Sequence, residues 1–127
     1  MNKKFILGIA AAAALAVGSL SVSAEGFAKT NTYTPGMFSD VPATEWYASS
    51  VSSSYELGFM KGTADGVFSP EGNMTVAEAV TIAARVHDAY NAKGTAFSQN
   101  GANWYDEYVK YAIDNGIIKA DAFDDYD

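Results

Sequence analysis

The chain has 127 residues with 15 acidic and 8 basic side chains, a formal net charge of −7, and no cysteine. So acidic a chain is a poor partner for nucleic acid, which is held chiefly through Lys and Arg contacts to phosphate, and it has no electrostatic reason to sit on an anionic membrane. Without cysteine there is no disulfide framework, so packing of an apolar core must supply the stability.

The first 24 residues form a separate object. Lys3 and Lys4 precede an apolar run from Phe5 to Val22, and Val22 with Ala24 makes a small-residue, A-x-A-like cleavage site. A membrane-spanning helix is the competing reading. The run is near the lower length limit for a span, is rich in alanine, contains Gly8 and Gly18, and ends in small residues, so it reads as a signal peptide cleaved after Ala24. Removing it takes away two lysines and leaves 103 residues at a net charge of −9. That is enough chain for one small domain and too little for two independent cores.

Residues 25–37 are small and polar around Pro35-Gly36 and show no periodicity, which predicts a flexible lead-in. Tyr47, Val51 and Tyr55 then recur at helical spacing and Gly58 follows as a stop, predicting a short amphipathic helix. Its exposed positions are the weak helix formers Ser49, Ser50, Ser52, Ser53 and Ser54, so tertiary packing has to hold it. In the following loop, Gly62 and Gly66 permit positive φ, Asp65 is placed to bond the following amides, and Phe68 is the large apolar residue expected to fold inward. Thr75 with Glu78 three residues on is a capping box that opens a second helix, with Val76, Ala79, Val80, Ala83 and Val86 or Tyr90 as its expected inner face. The expected core is Trp46, Val51, Tyr55, Phe68, Val80 and Ala83.

An internal repeat organises the rest. Sliding the chain by 58 positions places Trp46 on Trp104, Tyr47 on Tyr105, Val51 on Val109, Gly58 on Gly116 and Lys61 on Lys119, with Phe59-Met60 on Ile117-Ile118. A period near sixty suits an array of helix-loop-helix units. The second unit reaches Asp127 before any counterpart of Thr75–Arg85, so Val109, Ala112, Ile113, Ile117 and Ile118 must pack on the first unit or on another chain.

The ordered series Phe38-Ser39-Asp40-Val41, Trp46, Gly58, Gly62-Thr63-Ala64-Asp65-Gly66-Val67-Phe68-Ser69-Pro70 and Thr75-Val76-Ala77-Glu78 resembles a surface-layer homology (SLH) module. The likeness divides the chain into the signal peptide (1–24), the lead-in (25–37), a full module (38–97) and a truncated second module (98–127). It implies a mainly α, helix-loop-helix fold with short extended loop segments in one small domain. By resemblance the chain is a non-catalytic anchoring module of an exported bacterial protein at the cell wall or S-layer, binding pyruvylated secondary cell-wall polysaccharide without covalent attachment. The alternative is a structural or self-associating SLH-like surface protein or fragment that has lost glycan binding. Other SLH modules, in cis or in trans, are the further partners implied, with no membrane partner after cleavage.

Carried over residue by residue, the implied carbohydrate-binding set is Asp40, Trp46, Gly62 and Thr75, and the structural motif is Phe38, Val41, Asp65, Gly66, Phe68, Pro70 and Glu78. The sequence departs from the motif at Val76, which stands where an arginine that binds the anionic ligand belongs. Valine offers no donor in place of a guanidinium fork, although the helix N-terminal amides at Val76 to Glu78 would still attract a carboxylate. Trp46 reads equally as a sugar-facing platform or as a core anchor beside Phe68. Asp40 reads first as a turn or cap residue, Gly62 and Gly66 as conformational, and Thr75 with Glu78 as a cap.

No chemistry-bearing constellation competes with this reading. His87 is the sole histidine and Asp88 beside it points elsewhere on a helix, and no serine lies in a nucleophile elbow, so no catalytic residue and no cofactor is assigned. Asp121, Asp124, Asp125 and Asp127 lack the turn glycine and distal glutamate of a calcium loop and read as a solvated tail, with no metal site. Tyr105, Tyr108 and Tyr111 read as a helix packing face.

Overall fold

In a computed structural model the described residues are 26–98 and 101–127; the expected signal peptide lies outside them. Three helices follow in chain order: α1 Ala48–Glu56, α2 Val76–Tyr90 and α3 Asp106–Asp114. The one extended pairing among the described residues is a bridge between Ala64 and Val67, so the protein is mainly α and forms a small domain. No helix among the described residues is long and apolar enough to cross a membrane.

The 58-residue repeat reappears in the backbone, bond for bond. At the end of α1, Gly58 N–H donates to the Tyr55 carbonyl (3.0 Å) and Phe59 N–H to the Ser54 carbonyl (2.9 Å). At the end of α3, Gly116 donates to Ile113 (3.0 Å) and Ile117 to Ala112 (2.8 Å). Both are Schellman closures, and each favours its glycine, because Gly58 sits at φ +75° and Gly116 at φ +70°. α2 ends in the same closure with Ala92 at φ 49° in the glycine position, a conformation that strains an L side chain. At the other end of α2 the capping box forms: Glu78 N–H donates to Thr75 Oγ1 (3.2 Å) and Thr75 N–H to Glu78 Oε2 (2.9 Å). Loss of such a cap costs about 1 kcal/mol.

The core of the first unit is Phe38, Val41, Val51 and Phe68, with Tyr33, Met37, Tyr47, Ala48, Tyr55 and Met60 packed around it. Phe68 folds inward as expected and meets Phe38 edge to face at 5.2 Å. Trp46 does not join this core. It is 85% exposed and touches Tyr47 edge-on at 5.5 Å, because Phe38 from the preceding turn fills the place expected for it.

The buried face of α2 is also rotated from the expected one. Ala77, Val80, Thr81, Ala84 and Asp88 are buried, whereas Ala79 and Tyr90 are exposed and Ala83 is only partly covered. Hydropathy misleads here, since two of the buried residues are polar and the contact is with α3, not α1. Alanines 77, 84 and 112 are at most 1% exposed, and such small side chains let two helices approach closely. Tyr108 and Ala112 of α3 are buried in this contact, so the second unit does pack on the first.

Residues 26–37, expected as a flexible lead-in, lie against α1 and its closing turn. Phe27 meets Phe59 edge to face at 5.2 Å. Thr30 and Asn31 N–H groups donate to the Glu56 carbonyl at 2.7 and 3.0 Å, and Lys29 pairs with the Glu56 side chain at 2.6 Å. These bonds take up a carbonyl at the helix end that would otherwise need water. The composition of the segment gives no sign of this, because its two anchors, Phe27 and Tyr33, are isolated among polar residues.

Candidate functional site

Asp40 organises the loop between α1 and α2 from a distance. Its carboxylate accepts from Phe68 N–H (2.9 and 3.2 Å) and from Ser69 N–H (2.6 Å), across 28 positions of chain. The bond from Phe68 N–H, with help from Ser69, holds the Asp40 carboxyl below its usual range despite some burial. Asp40 is therefore a turn clamp, in line with the turn role expected for it. The amide-bonding role expected for Asp65 falls to Asp40 instead: Asp65 is exposed, and its carboxylate makes no hydrogen bond among the described residues. The tight turn is closed by the backbone, with Thr63 N–H on the Val67 carbonyl at 3.0 Å and Val67 N–H on Ala64 at 3.1 Å.

The two loop glycines are conformational, as the sequence implies. Gly62 has φ +88°, and a Cβ there would lie 2.5 Å from the Val67 carbonyl oxygen and 3.0 Å from the Phe38 ring. Gly66 has φ +68°, and its carbonyl accepts from Ser39 N–H at 2.9 Å. Thr75 and Glu78 are engaged in the cap. Pro70 lies half-buried at the end of the loop and Val41 is in the core.

The first turn of α2 is less open to an anion than its position suggests. The amide of Glu78 is taken by Thr75, and that of Ala77 donates to the Tyr126 carbonyl at 2.8 Å. Tyr126 stacks on Tyr105 at 5.7 Å and leans on Phe123 at 5.8 Å, so the C-terminal segment covers this helix end. Tyr126 stands at the repeat position of Phe68, and Tyr105 at that of Tyr47.

Of the proposed set, Asp40 and Gly62 belong to the clamped loop, Thr75 opens the next helix, and Trp46 projects into solvent just before α1. The model of the S-layer homology domain matches residues 38–80, the stretch that holds all four. The S-layer protein sap of Bacillus anthracis is 33% identical over 119 residues, covering 92% of this chain and 14% of that protein. An S-layer protein of Bacillus thuringiensis subsp. finitimus is 30% identical over the same length, again covering 92% of this chain and 14% of its own. The chain belongs to the S-layer homology domain family. It spans about one seventh of the length of these relatives. No solved structure matches it. Membership associates the SLH module with cell-surface anchoring and points to a structural, non-enzymatic role.

Against that background the single arginine of the sequence, Arg85, stands out as a residue that sequence reasoning passed over. Its guanidinium donates to the Phe59 carbonyl (3.1 Å) and to the Tyr108 hydroxyl (3.0 Å), and lies 5.0 Å from the centre of the Tyr108 ring. It thereby pins the end of the first helical segment to the second unit. Next to it, His87 Nδ1 shares a hydrogen bond with the Tyr111 hydroxyl (3.1 Å), and buried Asp88 accepts from Thr95 N–H at 3.1 Å. Burial, with Asp88 near, pushes the Tyr111 phenol above its usual range. A lone arginine in an acidic chain was the available signal, but only the fold shows that it is a strut and no replacement for the one missing at Val76.

Proposed function

We propose that the chain is a non-catalytic anchoring module that holds an exported protein to the bacterial cell wall or S-layer by non-covalent binding of pyruvylated secondary cell-wall polysaccharide. Family membership supports the surface role, and the exposed indole of Trp46 carries the binding role. Leaving so large an apolar side chain in water forgoes about 2 to 3 kcal/mol of burial, and a rigid amphipathic ring is well suited to lie against a sugar. Tyr47, held edge-on to Trp46, widens that surface.

Asp40, Gly62 and Thr75 support the site mainly by fixing the backbone around it. Val76 removes the guanidinium contact, and the Tyr126 carbonyl occupies one of the amides that would compensate, which favours weak binding by this chain. The same observation favours the second reading, in which the module keeps the fold and self-associates without glycan. Pull-down on sacculi with their polysaccharide and on sacculi stripped of it separates the two. Retention only by the unstripped wall, reduced by Trp46→Ala, supports anchoring; equal retention by both rejects it.

A further inference from the structure

We infer that Asn73 is an acceptor for N-linked glycosylation, an inference that rests on the reading above of the chain as an exported protein. Asn73-Met74-Thr75 is the N-x-T acceptor motif, in which a transferase reads the hydroxyl two residues after the asparagine in a surface loop of a secreted protein. Glu71, two residues before the asparagine, adds the acidic position of the extended bacterial form of that motif. No other asparagine of the sequence has Ser or Thr two residues on.

The fold leaves this amide available. An amide nitrogen is a weak nucleophile, and one that already donates to a fixed acceptor is turned away from attack. The side-chain nitrogens of Asn31, Asn91, Asn103 and Asn115 donate to the Tyr55 carbonyl (2.9 Å), the His87 carbonyl (2.8 Å), the Asp106 carboxylate (3.2 Å) and the Tyr111 carbonyl (2.8 Å). Among the described residues Asn73 is the one asparagine whose side chain makes no hydrogen bond. Residues 71–75 are all exposed, so a glycan there enters solvent without opening the core.

The segment is anchored at both ends, by Ser69 N–H on the Asp40 carboxylate (2.6 Å) and by the capping box at Thr75. Between them Asn73 and Met74 make no backbone hydrogen bond among the described residues. Thr75 serves two uses with different parts of one hydroxyl. Its oxygen accepts from Glu78 N–H (3.2 Å), and its proton, which has no acceptor among the described residues, is left for a transferase. The donor is a polyprenyl-diphosphate-linked oligosaccharide. Asn73 Nδ2 attacks C1 of its first sugar, the C1–N bond forms as the C1–O bond breaks, polyprenyl diphosphate leaves with the electron pair, and one amide proton passes to a base of the transferase.

The test incubates the purified, folded 127-residue chain with a bacterial oligosaccharyltransferase and a polyprenyl-diphosphate-linked oligosaccharide, and reads the intact mass and the modified peptide. One glycan, on Asn73, is expected, and Asn73→Gln should remove it. Thr75→Asp keeps a capping oxygen but no hydroxyl proton, so it should hold the melting temperature and stop the transfer, whereas Thr75→Ser keeps both. Glu71→Gln should slow the transfer about tenfold, as for loss of one charge-assisted contact. No glycan on the folded chain, a glycan on another asparagine, transfer that survives Thr75→Asp, or an unchanged rate in Glu71→Gln overturns the inference. Export is read separately, from Glu25 at the N-terminus of protein taken from cells. An exported chain that accepts no glycan loses the inference and keeps the anchoring reading. A chain that accepts glycan but keeps Met1 in cells loses the exported reading alone.

Discussion

The two units use one backbone template for different purposes. α1 and α3 share length, entry and glycine closure, yet α1 buries Val51 among loop aromatics, whereas α3 buries Tyr108 and Ala112 against α2. By the repeat, Tyr108 and Ala112 stand where α1 has Ser50 and Ser54. The positions that match between the units therefore set the chain path, and the positions that differ set what each helix touches. The loops diverge in the same way. The first has Gly62, Gly66 and the Asp40 clamp, while the second has Ala120, Asp124 and no aspartate at the clamp position.

The largest expected contrast lies between Phe68 and Tyr126, which share a repeat position. Phe68→Ala empties a packed site and should destabilise by about 3 to 5 kcal/mol, enough to unfold a domain of this size. Tyr126→Ala removes one stack but keeps the carbonyl that caps Ala77, so it should cost less than half as much. Chemical denaturation of both variants checks this, and equal losses would show that the second loop is as well packed as the first.

Next comes the clamp. The folded-state pKa of Asp40 is depressed, so its contribution is present above the unfolded value near 3.8 and fades as pH falls through the lower folded value. Asp40→Asn should lower the melting temperature at neutral pH and flatten its fall below about pH 4. Melting curves from pH 7 to about 2.5 would report it, and a parallel displacement of the two profiles would assign that fall to other carboxylates.

The smallest effect sits at the joint between the units. Ala92 takes the position that glycine holds at the ends of α1 and α3, so Ala92→Gly should stabilise by about 0.5 to 1 kcal/mol. A loss of stability in the same denaturation assay would mean that the Ala92 methyl packs more than it strains.

Much of this was legible in the sequence. The capping box and the glycine closures depend on residues close in sequence, where chemistry and spacing suffice; the repeat shows as recurring residue identities, and Phe68 as the large apolar residue of a polar loop. Trp46 was not, because an indole looks like core wherever it stands, and only the competing position of Phe38 sends it outward. The buried face of α2 escaped for a related reason. Thr81 and Asp88 are polar residues placed on a seam by a helix some thirty residues further along. Asp40 and Asp65 are both loop aspartates, and which of them reaches the amides depends on the path between them.

The bond from Ala77 N–H to the Tyr126 carbonyl has a consequence for the order of events during synthesis. The first turn of α2 is completed by a residue about fifty positions later, and α2 gains its helix partner only once α3 exists. A nascent chain ending near Tyr90 can gather Phe38, Val51 and Phe68 around α1, but it carries α2 with a bare flank and an open end. The first unit is thus the earlier to collapse and the later to be finished, and its last steps belong to the second.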